Sequence, residues 1–235
     1  MGHYLWVVRF PIIFAYTLYT KIKNGRLVGC NKDYKGHQEE FYSHPLTTDK
    51  SDKFHKERQR ISKLAKSEGR NKSVLEVGTG AGWQALNLEQ AGFEQITAID
   101  LVEKRIEFCK TTHPTTKAEF KVMDATNLEY ENASFDAVVF SAMLHDIARE
   151  PRIKALEEAM RVAGNTIIVF EPRYFSNRLH ALAYGIVGEI VDESSSFLDF
   201  VNHDLDKVFS ENGWMLTSSE LAWHKMLCIS VYERI

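Results

Sequence analysis

The sequence predicts an α/β fold with a doubly wound, mostly parallel seven-stranded sheet, helices on both faces and a C-terminal antiparallel hairpin. From residue 72 onward, apolar runs of strand length alternate with segments of helical periodicity. Repeated βα units of this length require a parallel sheet that helices cover on both faces. A glycine-rich turn at residues 78–82 directly follows the first strand, and two short strands close together at the chain's end indicate the hairpin.

Apolar runs bounded by acids or turn residues define the strands. The predicted strands are Ser73–Val77, Gln95–Ile99, Ala118–Met123, Phe135–Ser141, Thr166–Phe170, Met215–Leu221 and Met226–Tyr232. The predicted helices run from Ser51 to about Glu68, from about Gly82 to Gln90, over Glu103–Thr111, from about Pro151 to Gly164, over Asn177–Val191 and over Leu198–Glu211. Ser51 is a favourable cap, proline suits a first helical turn, and apolar residues three and four apart mark the buried faces.

The 235 residues suit one domain with an N-terminal addition. Residues 51–235 form the predicted α/β domain, with an insertion on the substrate side at about 172–211, and residues 1–50 form a cap segment. Residues 4–19 are strongly apolar, but Arg9 and Pro11 interrupt them and the run is shorter than the ~20 residues of a spanning helix. Two interpretations stay open, a segment that binds a membrane surface and a hydrophobic lid over the domain's own site.

The net charge is small but unevenly distributed. The chain carries −3 overall, yet residues 1–70 hold 14 Lys and Arg against 7 Asp and Glu, so the remainder carries −10. A basic N-terminal segment indicates either contact with an anionic surface such as lipid headgroups or a solvated helix face. The three cysteines are too far apart for a disulfide framework or a zinc site, and they favour a reducing compartment. We therefore expect a cytoplasmic protein, with or without membrane association, that holds no metal.

The stretch VLEVGTGAGWQ, residues 74–84, carries the main functional signal. Gly78, Gly80 and Gly82 let the backbone turn sharply and approach a ligand closely. A dinucleotide-binding turn has the different spacing G-x-G-x-x-G, which rests a pyrophosphate on a helix N-terminus. Glu76, two residues before the turn, would repel a pyrophosphate and instead suits a ligand with a cationic group.

With this motif, EVGTGAG, the chain resembles the class I S-adenosylmethionine (SAM)-dependent methyltransferases. The resemblance covers roughly residues 51–235 and is closest to the small-molecule branch that includes ubiquinone and menaquinone methyltransferases. It implies SAM as cofactor, S-adenosylhomocysteine (SAH) as product, and a small, lipophilic methyl acceptor such as a quinone precursor, lipid amine, thiol or phenol. The family's usual Pro-Gly-Gly turn before the fifth strand is absent, since the chain has RVAGNTIIVF there.

The resemblance also implies which residues hold the cofactor. Glu76 would reach its ammonium group directly or through water, Asp100 would accept both ribose hydroxyls, and Leu101 would pack on the adenine. The cofactor-binding residues implied in this way are Glu76, Gly78, Thr79, Gly80, Gly82, Asp100, Leu101, Asp124, Ala125 and Ser141.

Three residues are candidates for catalysis on the acceptor. Methyl transfer from a sulfonium is an in-line displacement, in which a carbon or phenol acceptor needs a base. His145, after the fourth strand, is the first candidate base, although a structural histidine that caps the next helix is the alternative. Glu171 and Tyr174, after the fifth strand, complete the set. The N/D-P-P-Y motif of nucleic-acid methyltransferases is replaced by SAML, so no nucleic-acid partner is expected.

Two other functions stay open. A non-catalytic SAM-binding or membrane-associated partner protein would keep the cofactor site but lose no activity when His145 is replaced. A nicotinamide-dependent oxidoreductase would prefer NAD(P) to SAM, and both the G-x-G-x-G spacing and Glu76 count against it. The sequence does not indicate the oligomeric state.

Overall fold

One seven-stranded sheet runs through the computed structural model of the protein, which describes residues 52, 54–172, 174, 182, 184–185 and 196–235. The strands are β1 (Ser73–Val77), β2 (Gln95–Asp100), β3 (Glu119–Val122), β4 (Phe135–Ser141), β5 (Ala163–Pro172), β6 (Trp214–Ala222) and β7 (Leu227–Arg234). The described helices are α1 (His55–Lys66), α2 (Trp83–Gln90), α3 (Glu103–Thr112), α4 (Arg149–Val162), α5 (Phe197–Val201) and α6 (Leu205–Glu211). Three short 3-10 turns lie at Ser67–Gly69, Leu144–Asp146 and Trp223–Lys225.

The strand order is β3-β2-β1-β4-β5-β7-β6. Strands β1 to β5 pair in parallel, while β7 is antiparallel to both β5 and β6, so the predicted fold class is confirmed. Val77 lies opposite Ile99 on one side and Phe140 on the other. This register brings the carboxyl ends of β1, β2 and β4 to the same edge, where open α/β sheets bind ligands.

Helices cover both faces of the sheet, which explains the near-continuous apolar runs of the central strands. On one face, side chains of β1 and β4 such as Leu75 and Val138 pack with residues of α4, α5 and α6, for example Leu156, Phe200 and Phe209. On the other face, the alternate positions Val74, Ala137 and Val139 pack with Ile61 of α1, Leu88 of α2 and Ile106 of α3. None of the described helices is long and apolar enough to cross a membrane.

Most element boundaries agree with the sequence-based predictions, and the differences have local causes. The first helix begins at His55 rather than Ser51, after Asp52 accepts a hydrogen bond from the Phe54 N–H at 3.1 Å. Strand β5 begins at Ala163, three residues before the predicted start, because Ala163 already pairs with Phe135 of β4. Sheet pairing therefore overrides the turn propensity of the glycine that follows.

The predicted single helix over Leu198–Glu211 is wrong, because the structure breaks it into α5 and α6. Asp204 caps α6 by accepting a hydrogen bond from the Lys207 N–H at 3.1 Å, and a helix cap requires non-helical backbone at its own position. The cap segment 1–50 lies outside the described residues. So does most of the predicted helix over Asn177–Val191, of which three described positions, 182, 184 and 185, are helical. The division into cap segment and domain stays a prediction.

Candidate functional site

A cleft opens where β1, β2 and β4 end, and we call it the cofactor cleft. Five of the ten predicted cofactor-binding residues line it, namely Gly78, Asp100, Leu101, Asp124 and Ala125. The other five do not line the cleft; they are Glu76, Thr79, Gly80, Gly82 and Ser141. Their individual contacts with a cofactor stay predictions.

The glycine turn adopts a backbone that favours glycine at each of its three glycines. The φ angles are +77° at Gly78, +58° at Gly80 and +82° at Gly82, all in the left-handed region. Gly78 also meets a steric limit, since a Cβ built there would lie 2.5 Å from the Met143 side chain that follows β4. The bare backbone of Gly78 therefore packs directly against Met143, and both residues line the cleft.

Asp100 is held in a fixed orientation at the end of β2. One carboxylate oxygen accepts the Gly80 N–H at 2.9 Å, and the other accepts the Val102 N–H at 3.0 Å. The Arg105 guanidinium lies 3.6 Å from the first of these oxygens. A carboxylate has about four acceptor positions. Each Asp100 oxygen can therefore accept a further hydrogen bond from a vicinal diol in the cleft.

Glu76 lies under the glycine turn, only 1% exposed. Its carboxyl group accepts a hydrogen bond from the Thr79 hydroxyl at 2.9 Å. Burial raises the pKa of Glu76 to about 8, although the Thr79 hydrogen bond and the Arg58 charge act in the opposite direction. A cation bound nearby would favour the ionised carboxylate. The predicted contact with an ammonium group is chemically consistent with this environment and stays a prediction.

The cleft's other groups fit the remaining parts of SAM. Asp124 lies near the start of the loop after β3 and uses one oxygen to accept both the N–H and the hydroxyl of Thr126 at 2.8 Å. Ser141 at the end of β4 has a buried hydroxyl without a hydrogen-bond partner in the part of the chain that the structure describes. Apolar groups, among them Leu101 and Met123, line the cleft between these polar points. The residues present therefore suit a ligand with a flat apolar ring, a diol and a charged end.

The acceptor-side candidates His145 and Glu171 form a buried pair. His145 Nδ1 lies 2.6 Å from one oxygen of Glu171, and the other oxygen accepts the N–H groups of Met143 and Leu144, both at 2.7 Å. Glu171 on β5 thus fixes the loop that carries Met143 into the cofactor cleft. His145 packs edge-on against Phe197 and does not itself line that cleft.

Tyr174 lies apart from this pair, 44% exposed beyond the end of β5. It lines a second cleft, between β5, β7 and β6 on one side and the α5–α6 junction on the other. Glu171 is also part of this second cleft, whereas the loop it holds borders the cofactor cleft. The structure therefore brings His145 and Glu171 together and leaves Tyr174 separate.

Sequence reasoning missed Arg152 of α4, which is fully buried. Its guanidinium donates to the carbonyls of Leu144 and Ile147 and also contacts Asp199 and His203 at 3.1 and 3.0 Å. It joins the loop after β4 to the α5–α6 junction. The available signal was its spacing, because residue 152 lies four and seven positions before the buried residues 156 and 159.

Several known proteins that are similar to this chain are methyltransferases. Residues 75–166 match the family model described as a methyltransferase domain. A probable phthiotriol/phenolphthiotriol dimycocerosates methyltransferase 2 from Mycobacterium ulcerans (strain Agy99) is 38% identical over 92 residues, 39% of this chain and 35% of the relative. A demethylmenaquinone methyltransferase from Clavibacter sepedonicus is 28% identical over 144 residues, 56% of this chain and 57% of the relative.

Other matches are more distant. A ribosomal protein L11 methyltransferase from Staphylococcus epidermidis (strain ATCC 12228 / FDA PCI 1200) is 25% identical over 145 residues, 61% of this chain and 41% of the relative. Magnesium protoporphyrin IX methyltransferase from Synechocystis PCC 6803, solved with bound SAH, shares the fold with a TM-score of 0.61 and 14% identity, over 96% of this chain and 99% of that one.

The chain spans between about a third and somewhat more than half of the length of these curated relatives. The strand order, the glycine turn and the family match agree nonetheless. Residues 75–166 therefore match a methyltransferase domain, and the seven-stranded sheet and its strand order agree with that match.

Proposed function

We propose that the protein transfers the methyl group of SAM to a small, lipophilic acceptor. The observation that carries the proposal is the Asp100 carboxylate, which two backbone N–H groups orient at the cofactor cleft beside the glycine turn. A carboxylate held this way suits a ribose diol. The G-x-G-x-G spacing of the turn, in place of G-x-G-x-x-G, counts against the pyrophosphate of a nicotinamide dinucleotide.

The cofactor supplies an activated methyl group, so the protein's part is alignment, exclusion of water and removal of a proton. Bound SAM would supply the methyl group and its sulfur would be the leaving group, so the acceptor must lose a proton to a group of the protein. We assign that proton to His145. Glu171 accepts from Nδ1 at 2.6 Å, which leaves Nε2 as the basic nitrogen of the neutral imidazole. Glu171 acts as the positioning residue because its side-chain hydrogen bonds hold His145 and the loop after β4.

Calorimetric titration with SAH tests the cofactor assignment, with NADH as the comparison ligand. We expect micromolar binding of SAH and no binding of NADH. Asp100→Ala removes the charged carboxylate that would accept hydrogen bonds from the ribose hydroxyls. It should weaken SAH binding by about 10- to 100-fold. Tight NADH binding, or an Asp100→Ala variant that binds SAH as well as the parent protein does, would overturn the proposal.

The acceptor class rests on the names of the relatives and on the composition of two segments. Two relatives carry names of lipid and quinone methyltransferases, and residues 4–19 and 179–190 are rich in apolar side chains. The L11 relative's name points to a protein acceptor instead. A screen with methyl-labelled SAM should therefore include quinols, lipid amines, thiols, phenols and ribosomal protein. We expect transfer to a lipophilic small molecule, and label found only in protein would contradict that class.

A further inference from the structure

The second cleft contains polar groups that the proposed methyl transfer does not use. Its floor is one face of the C-terminal strands, where Ser219 lies opposite Ser230 and Leu221 opposite Cys228. Its wall is the α5–α6 junction. Asp204, Asp206 and Glu171 contribute acidic side chains, and no lysine or arginine is among the described residues that line the cleft. Such a lining disfavours an anionic ligand.

His203 presents a hydrogen-bond donor to this cleft. The side chain is 7% exposed, and its Nδ1 lies 3.0 Å from the Arg152 guanidinium. Because a guanidinium only donates, Nδ1 must accept, and the proton of the neutral ring lies on Nε2. Burial, with the nearby Arg152 charge second, lowers the pKa of His203 to about 4, which keeps the ring neutral at physiological pH.

The Nε2–H group of His203 has no hydrogen-bond partner within the described part of the chain, and the residue lines the cleft. The Nε2 atom is open to the cleft rather than fully buried, so a ligand in the cleft can reach it. A ligand that displaces water from this donor must supply an acceptor of its own, because an unsatisfied donor costs about 1–3 kcal/mol. The ligand group that matches it is an uncharged oxygen acceptor, either a carbonyl or a hydroxyl.

We propose that the second cleft binds the uncharged, oxygen-bearing end of the methyl acceptor, with His203 Nε2–H donating to its carbonyl or hydroxyl oxygen. This inference deepens the proposed function and rests on it. Glu171 connects the two sites, since it lines the second cleft and holds the Met143 backbone at the cofactor cleft. Phe200, Leu205 and Leu221 supply apolar surface for the rest of the molecule.

Two small probes of the same shape test the ligand class. Acetophenone carries an uncharged carbonyl, and benzoate replaces its methyl ketone with a carboxylate. Each is titrated into the ¹⁵N-labelled full chain and followed by NMR. We expect acetophenone to bind with a Kd of about millimolar, as is usual for so small a ligand, and to shift the His203 Nε2–H signal and the amides of Ser219 and Ser230. Benzoate should give no saturable shift at these groups.

Two variants separate the donor from the shape of the cleft. His203→Leu removes the donor and should weaken acetophenone binding by about fivefold or more. His203→Gln can accept from Arg152 with its oxygen and donate into the cleft with its nitrogen, so its acetophenone affinity should stay close to that of the parent protein. Thermal melts and SAH affinity check that each variant is folded.

The outcomes are distinguishable. Equal binding of acetophenone and benzoate, shifts confined to the cofactor cleft, or unchanged affinity in His203→Leu would each overturn the inference. The comparison of the two probes on the parent protein decides the matter even if both variants fail to fold. Loss of the proposed function has a different signature, because SAH itself would then fail to bind the parent protein in the same samples.

Discussion

At the scale of single residues, the turn requires glycine at position 78 for two reasons, the backbone φ angle and the contact with Met143, and mutations can separate them. Its φ of +77° disfavours any side chain, and a Cβ would also come within 2.5 Å of Met143. Gly92 has a similar φ of +86° but meets nothing within 4 Å. Gly92→Ala should therefore cost only the backbone strain, about 1–2 kcal/mol. Gly78→Ala should cost more, and it should weaken SAH binding as Met143 is displaced.

Urea unfolding and SAH titration of both variants measure this difference. Met143→Ala added to Gly78→Ala should recover part of the lost stability, because it removes the clashing atoms beyond Cβ. Equal losses of unfolding free energy in the two glycine variants would contradict a role for the Met143 contact and leave only backbone strain.

Glu76 gives a pH dependence of stability whose sign follows from its pKa. Burial raises that pKa from an ordinary 4.5 to about 8. Between these values the folded state keeps a proton that the unfolded state has lost. The free energy of unfolding therefore falls as pH rises from about 4.5 to about 8, by a total on the order of 5 kcal/mol from this group. Glu76→Gln should remove this pH dependence, so that the free energy of unfolding of the variant increases relative to that of the parent protein as pH rises.

Urea unfolding at several pH values in this window measures the difference between Glu76→Gln and the parent protein. Taking the difference cancels the contributions of other titrating groups. A difference that stays constant from pH 5 to pH 8 would mean that Glu76 is ionised in the folded protein.

At the scale of elements, Arg152 and Arg149 contact the same Asp199 side chain from very different environments. Arg152 is fully buried, whereas Arg149 and Asp199 are both more than a third exposed. Arg152→Met would leave the carbonyls of Leu144 and Ile147 and the Nδ1 of His203 without their donor, at about 3–5 kcal/mol in total. Arg149→Met removes an exposed ion pair and should cost less than about 1 kcal/mol.

The unfolding midpoints of these two variants in urea provide the comparison. The matched pair tests whether the loop after β4 is tied to the α5–α6 junction through the buried side chain. Similar small losses in both variants would show that Arg152 contributes no more than a surface charge.

Several elements were predictable because the residues that mark them are adjacent in the sequence. Strands β1 and β4 were predicted with their observed bounds, since strands buried on both faces appear as mostly apolar runs. The acids at strand ends were predictable for a similar reason. Parallel strands end at one edge, so Asp100 and Asp124 had to lie near the glycine turn.

Other features depend on contacts between distant segments and were not predicted. The break between α5 and α6 leaves buried His203 beside Arg152, 51 positions earlier in the chain. The position of Met143 over Gly78 depends on the register of β4 against β1. The second cleft depends on β7 entering the sheet between β5 and β6. No single segment of the sequence contains the information for any of these.

At the scale of the whole molecule, the interpretation of the basic, apolar N-terminal segment as a membrane-binding segment makes a testable prediction. Residues 1–70 hold 14 of the 29 Lys and Arg, and the rest of the chain is acidic. Basic residues near an anionic membrane contribute about 1 kcal/mol each, and this attraction is screened by salt. We expect the full chain to float with phosphatidylserine-containing vesicles at low salt, and less with phosphatidylcholine vesicles.

Deletion of residues 1–20 is a sharp control because it removes the apolar run but only one of these basic residues, Arg9. If apolar insertion is needed besides charge, as is usual for stable peripheral binding, the deleted chain should stay at the bottom of the gradient. Equal recovery of both forms would contradict membrane contact through residues 4–19. If residues 4–19 form a lid instead, we expect the same deletion to leave the SAH affinity unchanged and to weaken the binding of acetophenone.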